Sequence, residues 1–324
     1  MGRRLLFLAV ALCAGLAAYS PVRAQGASQS LEGVPRFGHV FLIIGENATY
    51  SHLNATDMPY LMKDLRPRSA WLTRYRAATH WSQANYVALT SGRFTRCEQH
   101  NGGAACQDKV NNLFHQLDGH GLSWTTWLEG GTARCDGGGN TCAPQGPCPS
   151  TGFYTTGNPA INYPDIDHQE CVQRDIYAGP DDAPMGDFDA VLASGDVPDF
   201  NLVLPNGCED GEGTCKPTNN RYRQFDDFLA REVPKIEASP AFGDDGVIVI
   251  TYDEDQRKDG LAKMHGFGSG GPVACVILGP QVKDGEYGGA YVHYSLLRTL
   301  EDGFGISQHL AGAGGATPMS QIWN

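Results

Sequence analysis

Three short apolar runs in this chain end in carboxylates, and that recurrence limits the possible folds more than any other feature. His39-Val-Phe-Leu-Ile-Ile44 leads into Gly45-Glu46-Asn47. Phe200-Asn-Leu-Val-Leu204 leads into Pro205-Asn206-Gly207-Cys208-Glu209-Asp210, and Gly246-Val-Ile-Val-Ile-Thr251 into Tyr252-Asp253-Glu254-Asp255. Runs this short and this apolar read as buried strands. Leu122-Ser-Trp-Thr-Thr-Trp127 and Val273-Ala-Cys-Val-Ile-Leu278 are two more. Between the runs, residues 57–65, 83–91, 109–118, 219–238 and 293–303 carry helical patterns; in 219–238, Phe225, Phe228, Leu229, Val233 and Ile236 recur at helical spacing. Strands alternating with helices predict an α/β fold, a mainly parallel central sheet flanked by helices on both faces. Ligands of such sheets bind beyond the carboxyl ends of the strands, so the acids are expected to converge on one edge.

Glu46, Asp253 and Glu254 cannot gather there as bare anions, because like charges raise one another's pKa. A cation resolves the conflict, and oxygen donors suit Ca²⁺, Mg²⁺, Mn²⁺ or Zn²⁺. Any one of these acids alone reads as an ordinary solvated loop carboxylate; their joint placement is what predicts a metal site. Composition narrows the function further. The 324 residues are 41% hydrophobic, with 13 Phe, 13 Tyr and 5 Trp to fill a core, which excludes a disordered chain. With 36 acidic and 24 basic side chains the net charge is −12, so no basic excess exists to bind nucleic acid. The 41 glycines and 19 prolines follow no period and predict long loops.

The first 24 residues read as a signal peptide. Arg3 and Arg4 precede an apolar stretch from Leu5 to Ala18, and Val22-Arg23-Ala24 offers a small-x-small cleavage site. The stretch is short for a membrane span, so no stable anchor is expected and the product is secreted or periplasmic. Cleavage removes three arginines and no acids, taking the charge from −12 to −15. Residues 25–324 are then expected to form one domain. Nine cysteines remain, and without a C-x-x-C or paired-His spacing they suggest disulfides rather than zinc. Cys97 with Cys106 and Cys208 with Cys215 are the expected local pairs. Cys135, Cys142, Cys148 and Cys171 cannot be paired by spacing, and Cys275, in an apolar run, is expected to be a buried thiol. Residues 130–184, rich in Gly, Pro, Asn and Cys, are expected to be a disulfide-pinned insertion.

Four segments, in order, carry a resemblance. Val40-Phe-Leu-Ile-Ile-Gly-Glu46-Asn47-x-x-Tyr50 is similar to the "ENxSY" opening of the bacterial phosphoesterase family, in the alkaline phosphatase superfamily. Ser82-Gln-Ala-Asn85-Tyr86-Val-Ala-Leu-Thr-Ser-Gly92 resembles its nucleophile segment, Val249-Ile-Thr-Tyr-Asp253-Glu254 its "V-I-T-x-D-E", and His293-Tyr-Ser-Leu-Leu-Arg-Thr-Leu-Glu-Asp-x-Phe-Gly305 its terminal helix. The resemblance implies Glu46, Asn47, Ser82, Asp253 and Glu254 as metal ligands, with Ser82 also the nucleophile. Read from the residues alone, Ser82 opens a helix whose free N–H groups suit a phosphoryl group, although serine there is ordinarily an N-cap. Asn85, one turn on, is expected to reach the same oxygens. His293 is the first choice for a proton donor to the leaving alcohol, with His265 and His80 as further candidates. Two departures stand out. Ala84 replaces the family's usual proline, and the segment from Pro205 to Asp210 lacks the histidine of "P-N-x-C-x-D-x-H-D", which puts a second metal in doubt.

The expected protein is an acid phosphatase that cleaves small phosphate monoesters or a phospholipid phosphate through a phosphoserine. A phospholipase C-type phosphodiesterase and a non-enzymatic secreted metal-binding protein are the alternatives. A serine esterase is disfavoured, because no G-x-S-x-G is present.

Overall fold

The computed structural model describes residues 30–94, 109–129, 157–166, 168–179, 183–256 and 268–324. Its strands are β1 (Val40–Gly45), β2 (Ala70–Leu72), β3 (Tyr75–Arg76), β4 (Trp124–Leu128), β5 (Asp175–Tyr177), β6 (Phe200–Leu204), β7 (Val247–Tyr252), β8 (Cys275–Leu278), β9 (Gly285–Tyr287) and β10 (Tyr291–Val292). Its α-helices are α1 (Ser82–Ser91), α2 (Leu113–Gly119), α3 (His168–Arg174), α4 (Gly186–Ser194), α5 (Arg221–Ala238) and α6 (His293–Gly303). Among the described residues, eight strands form one sheet in the order β5-β4-β6-β1-β7-β8-β2-β9. The first five run parallel, and β1 pairs with β6 on one side and β7 on the other. β8 alone runs against its neighbours. Every residue of β1, β6 and β7 is buried, as a strand covered on both faces requires.

The register shows which helices cover which face. Val40, Phe200 and Trp124 are aligned across β1, β6 and β4 and share a face, because side chains alternate along a strand. Phe114 of α2 packs on Trp124 and Phe200, which puts α2 over that face. Phe41 and Trp127 point the other way, and both meet Phe188 of α4. Tyr252 lies on this second face too, against Phe225 of α5. The expected mainly parallel α/β sandwich is therefore what the chain forms.

The expected strands and helices appear within a few residues of their predicted limits, with one change of type: residues 60–65 wind as a π-helical turn. No local pattern signals β5. It lies within 130–184, the expected disulfide-pinned insertion, where Asp175–Tyr177 pairs in parallel with β4. Three residues are too few to carry a periodic signal. Most of that segment, with Cys135, Cys142 and Cys148, lies outside the described residues, as do Cys97, Cys106, His265 and the leader. Cys208 and Cys215 form the expected disulfide, Cys171 is also disulfide-bonded, and Cys275 is a buried free thiol.

Candidate active site

The carboxyl ends of β1 and β7 lie side by side, since Gly45 is paired with Tyr252. Glycine is needed there: a Cβ on Gly45 would come within 2.8 Å of both the Asp210 carbonyl and the Tyr252 ring. The next residues, Glu46-Asn47 and Asp253-Glu254, therefore turn off the sheet together. Asn47 adopts φ 42°, a left-handed conformation that asparagine tolerates, and its amide donates to Asp253 Oδ1 at 2.9 Å. Tyr86, on α1, donates to Glu46 Oε1 at 2.6 Å. From behind, the Glu46 amide donates to the Asp210 carbonyl at 2.7 Å, which ties the loop after β6 to the site.

Ser82 is the first residue of α1, and it is buried beside the β7 end. Its hydroxyl donates to Glu254 Oε1 at 3.4 Å and also lowers the pKa of Asp253. Trp81, not Ser82, is the N-cap residue, and it makes no side-chain cap. The other oxygen of Glu254 accepts from the Trp81 amide at 2.8 Å and lies 2.7 Å from His80 Nδ1. His80 Nε2 is 3.5 Å from Asp255 Oδ1, so the imidazole is bracketed by two carboxylates. A cavity of about 240 Å³ opens here, lined by Asn47, His80, Trp81, Glu212, Arg221 and Glu254 among others.

The electrostatics are those of an anion cluster short of a counter-charge. Burial, followed by the Asp253 and Asp210 charges, pushes Glu46 well above the usual carboxylate range, against the pull of the Tyr86 hydroxyl. Burial and then Glu254 push Asp253 up likewise. Asp210, buried, is raised to about 7. Asp253 Oδ2 is buried and accepts no hydrogen bond, an unmet acceptor facing its neighbours' charge. Carboxylate, amide and hydroxyl oxygens are a hard donor set, and with that orphaned oxygen they fit a divalent cation. Among the described residues, Glu32, Asp302 and His309 bring their donor atoms closer together, all within 4.8 Å. Glu32 is already held there by Arg298 through two bonds of 2.7 Å, so that triad is an ion-paired strap.

The structure brings Glu46, Asn47, Ser82, Asp253 and Glu254 together. Two other candidates stand differently from expectation. Asn85 was expected to reach phosphoryl oxygens. Its amide instead closes the preceding turn: Oδ1 accepts from the Thr79 amide at 3.0 Å, while Nδ2 donates to the carbonyls of Thr79 and Trp81 at 2.7 and 3.3 Å. His293, the first choice for a proton donor, is fully buried. Its Nε2 donates to the Asp253 carbonyl at 2.7 Å, and its Nδ1 accepts from Tyr75 Oη at 2.8 Å. Burial lowers its pKa to about 4, so it is neutral and has no ring nitrogen left for a substrate. Asn206 turns to its own loop, accepting from the amides of Cys208 and Glu209. Arg221, Tyr86 and Glu212 are site residues that sequence reasoning missed. Arg221 sits at the start of α5, distant in sequence from every motif, and reaches the Asn47 carbonyl at 3.2 Å.

A serine at a helix start faces clustered acids on the edge of a parallel sheet, and the family and relatives that the chain matches make it a phosphoric-ester hydrolase. Residues 41–307 match the phosphoesterase family, and the chain belongs to it. It is 25% identical over 295 residues to a phosphatidylinositol-3-phosphatase of Mycobacterium tuberculosis, covering 90% of this chain and 84% of that one. It is 24% identical to a probable acid phosphatase of Kluyveromyces lactis, covering 82% of this chain but only 58% of the relative. The fold is shared with an alkaline phosphatase superfamily protein of Vibrio parahaemolyticus, with a TM-score of 0.59 and 14% identity over 86% of this chain and 69% of the other.

Proposed function

We propose that this chain is an exported, metal-dependent phosphomonoesterase in which Ser82 is the nucleophile. The observation that carries the reading is the position of Ser82, at the start of α1 and 3.4 Å from Glu254, a residue that lines a cavity together with Arg221. Relatives named as phosphatases support the substrate class. Glu46, Asn47, Ser82, Asp253 and Glu254 would hold a divalent cation, which when bound neutralises charge on the phosphoryl oxygens and activates the serine.

The chain's own groups account for the rest. The amides at the start of α1 and the Arg221 guanidinium take up charge that spreads over the equatorial oxygens. Ser82 Oγ attacks phosphorus, with Glu254 Oε1 as the nearest acceptor for its proton. His80, aligned by Glu254, protonates the departing alcohol oxygen in place of the sealed His293. Water then hydrolyses the phosphoserine and returns the protons. Export rests on the signal-peptide pattern of residues 1–24.

Turnover of p-nitrophenyl phosphate, with and without a chelator, tests this. Ser82→Ala is expected to lower kcat by at least about a thousandfold. Wild-type rates in that variant, or in chelator, would sink the mechanism, and a strong preference for bis-p-nitrophenyl phosphate would replace it with a diesterase.

A further inference from the structure

Trp81 stands at the mouth of the cavity and is 40% exposed, the one large apolar side chain so exposed among the described residues. It belongs to neither apolar cluster of the core. Its backbone adopts φ 82° and ψ 116°, a conformation that glycine enters freely and bulky residues rarely do. The surroundings hold it there. Its amide donates to Glu254 Oε2 at 2.8 Å, and its carbonyl accepts from the Asn85 amide at 3.2 Å and from Asn85 Nδ2 at 3.3 Å. A strained backbone that presents an indole next to the nucleophile serves neither the core nor the helix cap, and strain of this kind gathers at ligand-binding positions.

We propose that Trp81 determines substrate specificity by stacking on the leaving group, so that aryl phosphates and other esters with an aromatic ring close to phosphorus are preferred. The inference rests on the phosphomonoesterase reading of the same site. At about 240 Å³ the cavity has room for a phosphoryl group and about one ring. Among the described residues the rest of its wall is polar or charged, including His80, Glu212, Arg221 and Glu254, which leaves the indole as the apolar contact there. A membrane-docking role for Trp81 fits less well, because acids surround it and the chain carries a net charge of −12, which anionic lipid would repel.

Phenylphosphonate and methylphosphonate share the phosphoryl group, are not hydrolysed, and separate stacking from phosphate binding. In calorimetric titrations of the metal-supplemented enzyme, phenylphosphonate is expected to bind about tenfold more tightly than methylphosphonate. In Trp81→Ala that ratio should fall close to one, and Trp81→Phe should retain most of it. Methylphosphonate affinity should stay within about twofold throughout, which also reports that the variants are folded with the phosphoryl site intact. An unchanged ratio in Trp81→Ala overturns the proposal, as does butylphosphonate gaining as much as the phenyl compound. If wild type binds neither phosphonate and turns over no monoester, the phosphomonoesterase reading itself fails. If it turns over monoesters but shows no aryl preference, only the role of Trp81 fails.

Discussion

His293 Nε2 donates to the main-chain carbonyl of Asp253 at 2.7 Å, so the first residue of α6 holds the strand end that carries two of the clustered acids. The two-stranded pairing of β3 with β10 puts this contact in place, because it aligns Tyr291 with Tyr75 just before His293 begins the helix. Tyr75 then donates to Nδ1, and the ring spans from one element to the other as a neutral strut.

A neutral buried histidine makes stability depend on pH in a defined direction. Its folded pKa, about 4, lies below the ordinary 6.5. The stabilisation it provides is complete above pH 6.5 and is lost as pH falls toward 4, amounting to about 3 kcal/mol. Urea unfolding of wild type and His293→Gln between pH 4 and 8 isolates the effect, since other groups cancel in the difference. The gap between the two proteins should narrow toward pH 4. A constant gap removes His293 as the cause.

The amide of Asn85 holds a turn, so its loss should be felt as instability. Asn85→Ala leaves the buried amide and carbonyl of Thr79 without their partners, at a cost of roughly 2–4 kcal/mol. A denaturation midpoint that stays at the wild-type value, with activity lost, would return Asn85 to the substrate-contacting role expected from sequence.

Tyr86 steadies Glu46 with a 2.6 Å hydrogen bond to its carboxylate. Removing the hydroxyl in Tyr86→Phe costs a charged hydrogen bond of about 1.5–3 kcal/mol. On the proposed mechanism, roughly tenfold or more divalent cation should then be needed for half-maximal activity. The check is a metal titration of phosphatase rate. No shift in that midpoint would separate Glu46 from the cation.

The Cys208–Cys215 disulfide closes the loop that carries Asp210, whose carbonyl receives the Glu46 amide. The double variant Cys208→Ser/Cys215→Ser should lose about 2 kcal/mol of stability from the freed loop. It should also lose activity several-fold while retaining the fold, as circular dichroism and p-nitrophenyl phosphate turnover would record. Full activity would mean that the loop holds its shape without the crosslink.

Much of this protein was legible in sequence because the signals are local. Runs such as Val40–Ile44 and Val247–Thr251 declare strands by apolar continuity, and the buried stripe from Phe225 to Ile236 declares α5 by period. Acids placed directly after strands must share an edge once the strands are parallel, so the sequence alone groups Glu46, Asp253 and Glu254. Strands as short as β5 and β10 carry no such signal, because two or three residues cannot display a period.

What the sequence determined alone was therefore the layered α/β frame, the acid-rich edge and the serine at the start of α1. Tertiary structure decided what the individual polar groups do. His293 became a strut because Tyr75, 218 residues away, takes its second nitrogen, and His80 gained its place because Glu254, 174 residues away, folds against it. Arg221 and Trp81 join the site across similar gaps. A side chain's role depends on which partners occupy its hydrogen-bonding atoms and how deeply it is buried, and in a sheet ordered by crossovers those partners come from distant segments that no local pattern encodes.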